Sequence, residues 1–149
     1  MATTMKFPAY HDSSIMAHVA ADGRIQSLNE HAAGVAKRCA KFLIDVGHPV
    51  LAPLGELLGL LHDLGKTQPD FQYYLKKVAI EKTMAPKAPH SMVGAAYAGY
   101  DKLTQNFPAI FGILSYAFSG HHRGVYDYDQ LDDNLHSQEL GKRTMDCAE

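Results

Sequence analysis

Residues 57–66 read Leu57-Leu58-Gly59-Leu60-Leu61-His62-Asp63-Leu64-Gly65-Lys66, and this run decides the fold class. Leucine recurs too densely to mark a single helix face. The segment from about Pro53 to Leu64 is therefore expected to be a central buried helix, stopped at Gly65. A His-Asp pair at its C-terminal end needs a reason, because an ionised carboxylate taken out of water is costly unless it is paired or bound to metal. Neighbouring helix residues point about 100° apart, so helix geometry alone does not bring the two side chains together. At a helix end, however, a carboxylate can bridge two ions while its neighbour binds one of them. Taken alone, the pair reads equally well as a polar final turn at the surface.

Working outward, the pattern stays helical and predicts an all-α fold without internal repeat, low-complexity tract or linker. Upstream, Ser27 and Glu30 have capping-box spacing, and Leu28, Ala32, Val35, Cys39, Phe42 and Val46 step by four and three until Gly47. A helix over about 28–46 follows, with His31 in its first turn. Downstream, Thr67 and Pro69 look like a cap and first-turn proline for a covering helix carrying Phe71, Tyr74, Leu75 and Val78. Thr83 to Pro89, with two prolines, reads as a loop, after which His90 opens a small-residue helix with Gly94, Ala95, Ala96 and Ala98. Pro108 starts an apolar helix through Phe111, Ile113, Leu114 and Phe118 that ends at Gly120, followed at once by His121-His122. A short helix is expected around Gln130 to Leu140.

Composition narrows the function classes. The 149 residues, 46% apolar and 20% charged, suit one soluble domain with a real core and exclude disorder. No apolar run reaches the ~18 residues of a membrane span, and the N-terminus lacks the plan of a signal peptide. No membrane partner and a cytoplasmic location are expected. Two cysteines, Cys39 and Cys147, form neither a disulfide framework nor a thiolate metal site. The net charge of −2 hides an acidic polar tail: residues 125–149 carry seven acids and two bases, leaving nine acids and twelve bases in residues 1–124. That body is too mildly basic to hold nucleic acid by charge alone, so a DNA substrate would be delivered by a partner or gripped by metal ions.

Nine histidines against no tryptophan is the most informative ratio in the chain, since neutral imidazole is the commonest metal ligand. His31, His62, His90 and the His121-His122 pair each fall at an end of a different helix, about thirty residues apart, the rhythm by which a bundle gathers ligands from several helices. Capping does not account for five such histidines beside an aspartate. An imidazole-dominated two-metal centre bridged by Asp63 does, and it favours Mn²⁺, Ni²⁺ or Co²⁺ over Mg²⁺, with Zn²⁺ expected to bind but to work poorly in a closed four-coordinate arrangement. Lys66 and Arg123 are candidate cations for a phosphate oxygen, and Tyr126 and Tyr128 weak candidates for base stacking. His18 is intermediate, a candidate donor to a ligand, and His11, His48 and His136 read as bystanders.

These residues resemble a known family. His31 with Leu61-His62-Asp63-Leu64-Gly65-Lys66 matches the ordered motif of the HD superfamily of metal-dependent phosphohydrolases. His90-Ser91 with Gly94-Ala95, the Gly120-His121-His122-Arg123-Gly124 segment, and the opening Ala17-His18 and Ser27-Leu28-Asn29-Glu30-His31 resemble the nuclease domain of the type I CRISPR-associated helicase-nuclease in particular, over roughly residues 17–127. The resemblance implies an HD-type helical bundle with the metal site at converging helix ends. It implies that His31, His62 and Asp63 hold one metal and that Asp63, His90, His121 and His122 hold the second. Lys66 would face a substrate phosphate. It further implies a nuclease that cuts single-stranded DNA with a transition metal such as Mn²⁺, Ni²⁺, Co²⁺ or Fe²⁺, working with a helicase and an RNA-guided surveillance complex.

The chain departs from that family in one respect. A further aspartate, well downstream of the tandem histidines, normally completes the first metal's shell. Here only residues 123–149 remain, and none of Asp127, Asp129, Asp132, Asp133 and Asp146 sits in a matching motif. Either the chain is a single domain truncated before that ligand, or fewer protein groups hold the first metal. Two other functions stay open at this stage: an HD phosphohydrolase of small nucleotides, which a base-binding pocket would favour, and a catalytically weak HD binding module, which absence of metal uptake would favour.

Overall fold

A computed structural model describes residues 14–99, 108–122 and 124. Within them the chain is helical, as the pattern predicts, with one addition. A short antiparallel hairpin of β1 (Met16–Val19) and β2 (Ile25–Ser27) precedes the first helix. Its turn closes through Ala20 and Gly23, the latter at φ 87°, where a side chain would be strained. Four- and three-residue strands are too short to leave a legible alternation in the sequence.

Helix α1 (Leu28–Asp45) starts where the capping box places it. The Ser27 hydroxyl accepts from Glu30 N–H at 3.2 Å, and Glu30 Oε2 accepts from Ser27 N–H at 3.3 Å. It ends in a Schellman motif: Gly47 at φ 86° donates to Ile44 O at 3.0 Å and His48 donates to Leu43 O at 2.8 Å. Only the N-terminal half of its apolar stripe is covered. Leu28, Ala32 and Ala36 are buried, whereas Phe42 and Val46 are 64% and 48% exposed, so the regular spacing overstates the buried length.

Helix α2 (Ala52–Leu61) is the central element, but glycines rather than leucines make its closest contact. A Cβ on Gly59 would overlap the Ala36 backbone, and one on Gly55 would lie 3.0 Å from Cys39 O. The missing side chains let α1 and α2 touch backbone to backbone. The opposite face carries Leu54, Leu57, Leu58 and Leu61 onto a core of Ala95, Leu114 and Phe118, supplied by α4 (Ser91–Gly99) and α5 (Pro108–Gly120). Ser115 on α5 donates to Ala95 O at 2.9 Å and ties these two helices together.

Between α2 and α4 the chain makes a 3₁₀ turn (Leu64–Thr67), α3 (Pro69–Leu75) and a π-helical turn (Lys76–Ile80). The expected covering helix is thus two helical geometries in series. Its first-turn proline is Pro69 as read, but the capping position falls to Gln68, and Thr67 instead donates to Leu64 O at 2.8 Å. Among the described residues no helix is long and apolar enough to cross a membrane. The acidic tail and the helix expected at 130–140 lie outside the described residues.

Candidate metal centre

The site begins where α2 stops. His62 keeps helical backbone angles, but Asp63 leaves them at φ −108°, ψ 17°. That break turns two neighbours, which a helix would hold apart, toward the same place: His62 Nε2 lies 3.2 Å from Asp63 Oδ2. The 3₁₀ turn that follows brings Lys66 back onto the same oxygen at 2.9 Å. Asp63 is 3% and Lys66 4% exposed.

The other histidines arrive from separate elements. Leu28–Asp45 presents His31 from its first turn, with Nε2 3.0 Å from Asp63 Oδ2 and 3.3 Å from His62 Nε2. These three donor atoms form a triangle with 3.0–3.3 Å edges, the spacing of adjacent ligands on a metal with bonds of about 2.1 Å. His90 precedes α4, and its Nε2 lies 3.6 Å from the other oxygen, Asp63 Oδ1. Gly65 makes this approach feasible, because a Cβ there would overlap the His90 carbonyl. His121 follows α5 and also stands 3.6 Å from Oδ1, while His122 Nε2 reaches His90 Nε2 at 2.9 Å. Donor atoms of Asp63, His90, His121 and His122 all lie within 4.8 Å of one another.

Hydrogen bonds from the rings set which nitrogen faces inward. His62 Nδ1 sits 2.7 Å from Gly59 O and His121 Nδ1 2.6 Å from Phe118 O. Each must carry the proton there, leaving the Nε2 lone pair toward Asp63. Burial lowers the proton affinity of His31, His90 and His122, His90 to about 4. His62 is shifted upward, since the Asp63 carboxylate outweighs its burial. Burial likewise opposes ionisation of Asp63, but His121, His62 and Lys66 outweigh it and hold the carboxyl well below the usual range. The centre thus offers one carboxylate and mostly neutral imidazoles, the protonation state that metal ligation requires.

Fit to a metal can be tested on one atom. Asp63 Oδ1 is buried and has no hydrogen-bond partner, a cost of several kcal/mol for a charged acceptor if nothing else neutralises it. At 3.6 Å from Oδ1, the Nε2 atoms of His90 and His121 stand beyond hydrogen-bond distance; a cation between them would turn all three into ligands. The donor set fits a divalent metal.

His31, His62, Asp63, His90, His121 and His122 are therefore brought to one place, together with Lys66. Arg123, Tyr126, Tyr128, His11, His136 and the downstream aspartates lie outside the described residues. His48 stands at the opposite end of α1 from His31. Two supporting residues left no signal in the sequence. Gln72 accepts from Met16 N–H at 3.0 Å and donates to Met16 O at 2.9 Å and Lys66 O at 2.7 Å, clamping the hairpin to the 3₁₀ turn that carries Lys66. Buried Gln68 donates to Gly65 O at 2.8 Å. Isolated glutamines carry no periodicity or motif, so only the packed chain reveals them.

A helical bundle whose converging ends surround one buried carboxylate with imidazoles defines the HD class of metal-binding hydrolases. The chain belongs to the Cas3 HD domain family: the model described as "Cas3, HD domain" matches residues 12–147. Membership brings a metal-dependent, nuclease-like HD function associated with CRISPR machinery and nucleic acid. No curated protein matches the chain.

Proposed function

We propose that this chain is a metal-dependent phosphodiesterase that cuts single-stranded DNA in type I CRISPR interference, acting with a helicase on strands exposed by an RNA-guided surveillance complex. The observation that carries it is the two-sided use of Asp63: Oδ2 faces His31 and His62, while buried, unpartnered Oδ1 faces His90 and His121. In this reading Asp63 would help to hold two divalent transition metals such as Mn²⁺, Ni²⁺, Co²⁺ or Fe²⁺. His31 and His62 would join it at one metal, and His90, His121 and His122 at the other.

When bound, the metal pair supplies an activated water and neutralises charge on the transferring phosphoryl group. The protein residues do the positioning. Gly59 O and Phe118 O fix the His62 and His121 rings through their Nδ1 protons. Lys66, with its side chain 5% exposed, neutralises and orients the carboxylate from behind rather than reaching out to a phosphate. No protein nucleophile is required. The mild charge of the body agrees with a substrate gripped at the centre and presented by a partner.

The test is cleavage of circular single-stranded DNA by the purified chain with Mn²⁺ or Ni²⁺, beside Asp63→Ala and an EDTA control. Metal-dependent nicking that disappears in the variant is expected. Intact circles with metal-loaded protein, or cleavage by Asp63→Ala equal to wild type, would overturn the proposal.

A further inference from the structure

His18 stands outside the ligand set just described, yet the hairpin carries it into the centre. The pairing of β1 with β2 is irregular between Met16 and His18, and such bulges re-aim the side chains beside them. Here Ala17 is buried at 1% exposure while its carbonyl accepts from Lys66 Nζ at 3.2 Å. The next residue, His18, sends Nε2 to within 3.3 Å of the same ammonium. Its ring meets His31 edge-on, with centroids 4.6 Å apart.

This placement is held from behind. Gln72 grips both backbone polar groups of Met16, and Leu28 N–H donates to Ile15 O at 2.8 Å. The strand is therefore fixed to the 3₁₀ turn that carries Lys66 and to the start of α1, which carries His31. Donor atoms of His18, His31 and Asp63 all lie within 4.8 Å of one another. Ligands on opposite sides of an ion with bonds of about 2.1 Å are separated by about 4.2 Å, so the imidazole is within the reach of one coordination sphere after a small ring rotation. Its lone pair faces Lys66, which also donates to Asp63 and Ala17; turning that lone pair to a metal leaves Lys66 with two acceptors.

We propose that His18 is a further protein ligand of the metal held by His31, His62 and Asp63, supplied by the β-hairpin to fill a position those three leave open. This rests on the metal-centre reading above. It also gives the hairpin a function, since a two-stranded ribbon adds little stability by itself.

The test loads the full chain and its His18→Phe and His18→Gln variants with Co²⁺. Phe keeps the ring contact with His31 without a donor nitrogen. Titration measures affinity, and NMR counts the far-downfield exchangeable N–H signals of cobalt-bound imidazoles. We expect one of those signals to vanish in both variants and one class of Co²⁺ to bind at least about tenfold more weakly, with the other class unchanged. Wild-type protein that binds Co²⁺ beside variants retaining every signal overturns the His18 assignment and leaves the metal centre standing. Wild-type protein that binds no Co²⁺ overturns both.

Discussion

The two oxygens of Asp63 face differently prepared surroundings. Around Oδ2, the chain has already assembled a compact set: His31, His62 and Lys66 lie 2.9–3.2 Å away, and the ammonium supplies positive charge. Around Oδ1, the imidazoles stand back at 3.6 Å and no hydrogen bond reaches the oxygen. The first side is held together by the ion pair to Lys66. On the second, the donor atoms are spaced so that a cation could lie between them. One carboxylate is thus positioned by Lys66 at one oxygen while the other keeps its lone pairs without a hydrogen-bond partner.

Asp63→Asn should break both sides together and have the largest effect. Without the bridging charge, metal content should fall to background and cleavage by a factor on the order of 10³ or more. The accompanying measurement is thermal unfolding with Mn²⁺: at about a hundred times Kd, wild type should gain about 2.7 kcal/mol, and the variant almost none. An equal gain in the variant would mean that metal binds elsewhere.

Two glycines separate the sides. Gly59→Ala pushes α2 off Ala36 and should cost about 1–3 kcal/mol of global stability, read by chemical denaturation, with His62 displaced relative to His31. Gly65→Ala presses instead on the His90 carbonyl. Its metal loss should be confined to the Oδ1 side, seen as one weakened class in a metal titration. Identical loss of both classes in the two variants would undo the distinction between the sides.

Lys66→Met tests whether the preassembled side depends on its ammonium. Removing that charge should weaken metal binding by about 10–100-fold, with the variant still folded by circular dichroism. Unchanged affinity would show that the imidazoles alone hold Asp63 in place. The smallest effect expected is that of Ser27→Ala, which deletes the capping box that starts the first turn holding His31. A loss of about 1 kcal/mol in denaturant stability, with little change at the Oδ1 side, would place Ser27 in support of the Oδ2 side only.

Much of this was legible in the chain. Caps, glycine stops and prolines are local signals, so the start of α1 at Ser27, its Gly47 stop, and the starts of α3 and α5 at Pro69 and Pro108 follow from neighbouring residues alone. The histidine rhythm marks candidate ligands because helix ends are local too, and a bundle of such helices can gather them. Burial was less legible. Phe42 continues the apolar stripe of α1 yet is 64% exposed, since a period specifies a face and not how far a partner covers it.

Tertiary structure alone decided how these parts combine. Leucines dominate the run at 57–61, but Gly55 and Gly59 determine how closely α2 meets α1, an effect of absent side chains that depends on what stands opposite. Which oxygen of Asp63 meets which histidines depends on the backbone break after His62 and on the crossing of α4 past Gly65. His18 meets Lys66 across 48 residues of chain, and Gln72 meets Met16 across 56. Residue types and local spacing encode which donors and helix ends exist. Their distances depend on packing between segments remote in sequence, which no local pattern contains.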